Sequence, residues 1–385
     1  MRAIHAGTDR SDSALDSDRE RELRRPGLAR DRAFMRRALS LARRGWGQTA
    51  PNPLVGAVVV RDGSVVGEGY HARWGEAHAE VAALRAAGPL ARGATIYVTL
   101  EPCDHQGKTP PCTQALIAAG VARVVVAARD PNPAAAGGIE RLRAAGIAVT
   151  VGVEEEAARE LNAPFFFAYG ASRPWVTLKL AVSLDGAIAD ASGRSRWITG
   201  PRARAQVHLL RAGSDAVGVG VGTVLADDPS LTVRAAPPPR VSPTRVVFDR
   251  RARTPLDAAL VRTAREVPTV LVTECPDAER TRALEGAGVG IVRAGSLAAG
   301  LEALARGGIR SLLVEGGARL AGALLDGALV DRLIIFQGPV LLGAGALGAF
   351  DYARSADLAE APRFRVLERR AIGDDVMTVY ALRAI

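Results

Sequence analysis

The chain has 385 residues, 48% of them apolar and 24% charged, enough for two or three domains that each bury a core. No apolar run approaches the ~20 residues of a bilayer-spanning helix and no apolar leader opens the sequence, so a cytoplasmic protein without a membrane partner is expected. The net charge of +9 comes from arginines dispersed among acids, with lysine only at positions 108 and 179, and aromatics make up 4%, so no nucleic-acid partner is expected.

Residues 1–30 mix Arg, Asp, Glu and Ser without apolar periodicity and are predicted to form a disordered, solvated tail. Asp31 is the predicted N-cap of a helix whose apolar face is Phe34, Met35, Ala38 and Leu39. Leu54 to Val60 is a continuous β-prone run, and Asp62-Gly63 supplies a hairpin turn into Val65-Val66. Helix and strand then alternate through 77–87, 94–100, 112–119, 121–127, 139–145 and 147–151, the rhythm of a layered α/β domain over residues 31–172. A connecting helix at 154–162 and a boundary stretch at 164–174 lead to a second α/β domain, residues 173–385. Its strands are predicted at 175–180, 215–221, 245–248, 269–273, 309–314 and 333–336, with a closing hairpin near 363–382.

Three cysteines cannot build a disulfide framework, and Cys103 and Cys112 flank a proline-rich loop, a placement that favours metal or catalytic use. His78 opens a predicted helix, Pro102-Cys103 ends a strand and Cys112 opens the next helix, so three ligands sit at element termini where they can converge. One imidazole and two thiolates are the donor set of a catalytic Zn2+ site whose fourth position stays open, and helix N-termini favour the anionic thiolates. Glu80, two residues beyond His78, is placed to shuttle protons without ligating. His105 is either a fourth protein ligand or a substrate contact. Each residue alone has a bland reading as a cap or a buried apolar group; jointly they do not.

His78-Ala79-Glu80 followed by Pro102-Cys103 matches the zinc-deaminase signature, but eight residues separate Cys103 from Cys112 instead of the two usual in that signature. With Pro51-Asn52-Pro53 and Asp130-Pro131-Asn132-Pro133, the region resembles the pyrimidine deaminase of riboflavin biosynthesis. The resemblance implies a phosphorylated diamino-ribosylaminopyrimidinone substrate, zinc on His78, Cys103 and Cys112, Glu80 as proton donor, and substrate contacts from Asn52, His105 and Lys108. The chain departs from that family at Ala136-Gly137-Gly138, where a basic residue is usual.

In the second domain a Gly-rich strand-to-helix turn, Glu315-Gly316-Gly317-Ala318, suits a pyrophosphate, whereas a Rossmann G-x-G-x-x-G opening the domain is absent. Together with the segments around Ser183-Leu184-Asp185-Gly186, Ser195-Arg196-Trp197 and Gly220-Val221-Gly222-Thr223, it resembles the reductase half of the bifunctional deaminase–reductase family. The fold class that follows is an N-terminal cytidine-deaminase-like three-layer α/β domain plus a C-terminal dihydrofolate-reductase-like α/β domain, in a homo-oligomer. The resemblance implies NADPH contacts from Ala181, Trp197, Thr223, Asp227, Gly317, Ala318, Arg319, Leu320, Ala321, Gly322 and Ala323. It also implies substrate contacts from Ser195, Arg211, Leu231, Arg234 and Glu315, with Arg211 and Arg234 suited to clamping a phosphate. No proton donor for the reduction is evident. The rival reading, an RNA-binding base-editing module, is opposed by the long cysteine loop, the few aromatics and the second domain.

Overall fold

The computed structural model describes residues 26–107, 110–352, 357 and 361–382. Most of the expected tail, and Lys108, lie outside the described residues. Among the described residues the first helix covers Pro26–Ala42, so the expected boundary at residue 30 falls inside it. Asp31 is therefore not an N-cap. It is buried within the helix and accepts from Tyr97 Oη at 2.7 Å and from the Arg123 guanidinium at 3.0 and 2.7 Å.

Compact packing divides the chain between Asn162 and Ala163. The stretch expected as an irregular boundary contains a helix, Ala163–Ala168. It belongs with the second unit because Phe167 meets Trp175 edge-to-face at 5.4 Å and Arg173 pairs with Asp331.

The first unit holds one five-stranded sheet in the order β2-β1-β3-β4-β5: Gly56–Arg61 (β1), Ser64–Tyr70 (β2), Thr95–Leu100 (β3), Arg123–Ala128 (β4) and Ala148–Val151 (β5). β1 pairs antiparallel with β2 and β3; β3, β4 and β5 run parallel. Alternation along β1 sends Ala57 and Val59 into a core shared with Ala79 and Ala83 of the Ala79–Ala87 helix. On the opposite face the Pro26–Ala42 helix packs so closely that a Cβ at Gly56 would lie 2.0 Å from the Ala38 carbonyl oxygen. Helices on both faces make three layers.

The second unit is built on a nine-stranded sheet with the order β11-β10-β9-β8-β12-β6-β13-β16-β15. Its strands are Trp175–Val182 (β6), Ala216–Gly220 (β8), Thr244–Phe248 (β9), Thr269–Thr273 (β10), Gly290–Arg293 (β11), Ser311–Val314 (β12), Arg332–Gln337 (β13), Phe364–Ile372 (β15) and Asp375–Leu382 (β16). Ala187–Ala189 (β7) and Leu347–Gly348 (β14) form a separate ribbon. Seven strands are parallel, and β16 and β15 close one edge antiparallel. β11 was not expected from sequence: it is a four-residue edge strand with no buried position, so it carries no periodic signal. In β6 the buried residues alternate with half-buried ones, and Lys179 and Ala181 share the half-buried face.

Candidate metal centre and nucleotide crevice

In the first unit three element termini meet. His78 is the N-cap of the Ala79–Ala87 helix and uses no side-chain cap bond, which leaves its ring for other work. Cys103 follows β3, and Cys112 opens the Cys112–Ala119 helix. His78 Nδ1 lies 3.3 Å from Cys112 Sγ and 3.5 Å from Cys103 Sγ, and the three ligand atoms lie within 4.8 Å of one another. A tetrahedral zinc with bonds of ~2.05 Å to nitrogen and ~2.3 Å to sulfur sets N···S near ~3.6 Å, so the donors fit that ion. His105 is exposed and stands outside this cluster, which leaves a three-ligand set with room for a fourth.

The thiols differ more than their shared place at helix and strand termini suggests. Hydrogen bonding from Cys112, helped by His78, pulls Cys103 down to about 4, while the same contact, burial and Glu80 push Cys112 up. The pair thus shares one proton, which a bound metal would release. Glu80 is buried, and desolvation, with the Cys103 thiolate adding, raises its carboxyl to about 7.

Glu101 sets the loop that carries Cys103. Its buried carboxylate accepts from the backbone N–H groups of Gly137 and Ile139 at 3.1 and 3.2 Å and of Asp130 at 3.2 Å. This caps the Gly138–Ala144 helix and explains the Gly137-Gly138 pair: Gly137 has φ +98°, and a Cβ on Gly138 would lie 1.8 Å from the Pro102 carbonyl oxygen. The turn without a basic residue is a helix start capped by a neighbouring acid.

Sequence reasoning missed His71. It is buried, its Nδ1 lies 3.2 Å from the Ala77 carbonyl, its Nε2 lies 3.2 Å from Asn52 Nδ2, and its ring meets His78 edge-on at 5.4 Å. With Nδ1 donating to the carbonyl, Nε2 accepts from Asn52 and orients that amide. Burial, which lowers the His71 pKa, favours the neutral ring this requires.

In the second unit β8, β12 and β6 are neighbouring parallel strands whose carboxyl ends lie side by side, the usual ligand position in open α/β sheets. Gly317 is the N-cap of the Ala318–Asp326 helix and provides no side-chain cap, so first-turn N–H groups remain available to an anion. Thr223 Oγ1 faces Gly317. Further along, Ala321 belongs to the core, and Gly322 packs against the Asp351 backbone, where a Cβ would lie 1.8 Å from its carbonyl oxygen. Gly317 and the first turn after it are thus the part of the expected cofactor segment left open to an anion. Ser195 Oγ donates to Asp227 at 3.3 Å, Arg196 donates to the Asp227 carbonyl at 2.7 Å, and Trp197 is exposed with the Arg204 guanidinium 4.3 Å above its ring.

Arg211 is differently engaged from the expected phosphate clamp. Its Nε and Nη2 donate to Glu315 at 2.5 and 3.0 Å, and its Nη1 donates to the Thr232 carbonyl at 2.9 Å. Lys179, also missed from sequence, places Nζ 3.9 Å from Glu315 Oε2. Burial alone would raise the Glu315 pKa, but Arg211 and Lys179 outweigh it and hold the carboxyl below its usual range. Burial lowers Lys179 despite Glu315. Leu231 is buried with φ +52°, and Arg234 donates to Ser230 Oγ. Arg250 pairs with Glu274 at 3.4 Å.

Residues 28–128 match the family model of the cytidine and deoxycytidylate deaminase zinc-binding region, and residues 174–378 match that of the RibD C-terminal domain. The chain is 47% identical to the riboflavin biosynthesis protein RibD of Aquifex aeolicus over 317 residues, 82% of this chain and 88% of the relative. It belongs to the RibD family. RibD of Escherichia coli K12 is 46% identical over 362 residues, covering 90% of this chain and 98% of that protein. Among solved structures, Acinetobacter baumannii RibD superposes with TM-score 0.81 at 41% identity, over 93% of this chain and all of that one. The Thermotoga maritima diaminohydroxyphosphoribosylaminopyrimidine deaminase/5-amino-6-(5-phosphoribosylamino)uracil reductase gives 0.82 at 37% identity, with 93% of this chain covered. Membership makes the chain a bifunctional deaminase and reductase of riboflavin biosynthesis, acting on a small phosphorylated pyrimidine with zinc and NADPH as cofactors. The expected fold class is that of the family: a cytidine-deaminase-like first unit and a dihydrofolate-reductase-like second. Among the described residues no helix is long and apolar enough to cross a membrane.

Proposed function

We propose that His78, Cys103 and Cys112 hold the zinc in this chain and that Glu80 moves the protons of deamination. The observation that carries this reading is the convergence of three ligand atoms within 4.8 Å, with the buried Glu80 carboxyl two residues beyond His78. When bound, zinc supplies the Lewis acidity that makes water a nucleophile at neutral pH. Glu80, whose carboxyl is raised to about 7 by burial, takes one proton from the attacking water and delivers it to the ring nitrogen, then takes the second from the hydroxyl so added and delivers it to the departing amine. Asn52, held by His71 through one N–H, offers Oδ1 and its second N–H to the edge of the pyrimidinone, and His105 and Lys108 extend this contact from the cysteine loop.

In the reductase half, the Gly317–Leu320 turn, with Thr223, Asp227, Ala181 and Trp197, would hold NADPH. The cofactor supplies the hydride to the sugar C1′ of the open-chain aldehyde or imine. Lys179, an ammonium seated against Glu315, is the group placed to deliver the accompanying proton. Ser195, Leu231 and Arg234 hold the ribosyl phosphate, and Arg211 fixes Glu315 toward the sugar. The enzyme works in the cytoplasm as a homo-oligomer on a soluble substrate, without nucleic acid or membrane.

The test is metal content combined with product analysis. Zinc near one equivalent, ammonia released without NADPH and a reduced ribityl product only with NADPH support the assignment. Ammonia release that persists after complete removal of zinc overturns it.

A further inference from the structure

The Pro201–Ala212 helix presents His208 and Arg211, one turn apart, to the irregular segment that follows Ser230. Arg211 Nη1 donates to the Thr232 carbonyl at 2.9 Å. Two residues on, the Arg234 backbone N–H donates to His208 Nδ1 at 3.3 Å. A donor and an acceptor on one helix face thus take the acceptor and the donor of residues 232 and 234, as a neighbouring strand would. The segment docked this way carries the Arg234 guanidinium and the Ser230 hydroxyl, which bond to each other.

We propose that His208 is a positioning residue for phosphate recognition in the reductase half, holding Arg234 in place by accepting its main-chain N–H. This rests on the reading of Arg234 as a ligand of the substrate phosphate. The role requires a neutral imidazole with the proton on Nε2, because a proton on Nδ1 would meet the Arg234 N–H head-on. The surroundings favour that form: burial comes first, then the positive charges of Arg211 and Arg234, and together they outweigh Glu315 and a hydrogen bond to the Thr232 backbone. Arg211 is itself bound by Glu315, so Arg234 is the cation in this cluster whose head group is exposed, and its direction depends on how its backbone is anchored.

Asparagine can place its carbonyl oxygen where Nδ1 stands and still accept, whereas leucine fills the space and cannot. The readout is the ratio of kcat/KM for the deaminated substrate with and without its 5′-phosphate, measured on the full-length enzyme. His208→Leu is expected to lower that ratio about tenfold, with kcat and the KM for NADPH within about twofold of wild type, and His208→Asn to restore it to within about threefold. Arg234→Met sets the scale: if it leaves the ratio unchanged, the phosphate reading itself fails and the proposal falls with it. If Arg234→Met lowers the ratio but His208→Leu does not, or if His208→Asn is as impaired as His208→Leu, the positioning role alone is overturned. Circular dichroism and thermal midpoints establish that each variant is folded.

Discussion

Lys179 on β6 and Glu315 at the end of β12 approach to 3.9 Å across neighbouring parallel strands, and neither belongs to the zinc site. Burial brings the Lys179 pKa below its ordinary 10.5, and the charge on Glu315 reduces but does not cancel that effect. With Lys179 as the proposed proton donor, the rate of reduction should be lost as pH rises through a value below 10.5. Lys179→Met should lower kcat about a hundredfold, the lower end of the usual contribution of a general acid, and abolish that alkaline limb. Lys179→Arg should move the limb upward. A limb unchanged in both variants would exclude Lys179 as its source.

Glu80 is buried where it can exchange protons with a bound pyrimidine. Glu80→Gln keeps the shape and removes the proton exchange, so ammonia release should drop by about three orders of magnitude. Zinc content should stay near wild type, and NADPH oxidation with the deaminated substrate should be unaffected, since that chemistry belongs to the second unit. Loss of zinc in the variant would instead make Glu80 a structural residue.

Chelation should separate the two activities. Ligand thiols must lose their protons to bind metal, so zinc affinity falls with decreasing pH, as does resistance to chelators. Dialysis against a strong chelator should abolish ammonia release and leave reduction of the deaminated substrate intact, and restored zinc should recover the first. Parallel loss of both would contradict independent sites.

Gly138 carries the sharpest packing demand beside the metal site. A methyl group there would lie 1.8 Å from the Pro102 carbonyl oxygen, a backbone atom next to Cys103. Gly138→Ala should therefore displace the Cys103 loop, lower zinc occupancy at least severalfold by metal analysis, and destabilise the first unit by about 2 kcal/mol. Normal zinc content in this variant would show that the loop can move without harm.

Asp31 links helix and sheet in the first unit through Tyr97 and Arg123. Removing its carboxylate leaves a hydroxyl and part of a guanidinium unpartnered, so Asp31→Ala should cost about 1.5–3 kcal/mol. Denaturant melts of the full chain should show this in the transition of the first unit; a change under about 0.5 kcal/mol, the range of ordinary surface substitutions, would mean the pair is solvated in effect.

The convergence of His78, Cys103 and Cys112 was legible in the chain because each lies at an element terminus, next to a local signal of helix start or strand end. The two α/β units were legible for the same reason, since apolar periodicity is local. His71, Lys179 and His208 were not. Their chemistry comes from partners distant in sequence or brought close by a turn: Asn52 for His71, Glu315 for Lys179, Arg234 for His208. Likewise Arg211 reads as a phosphate ligand until Glu315, more than a hundred residues away, is seen to occupy its guanidinium. Sequence by itself determined most of the elements and which residues could bind metal, since both depend on side-chain type and short-range spacing. Tertiary structure decided which buried charges meet, because their pairing depends on strand order and helix docking, and those are set by the packing of the whole sheet.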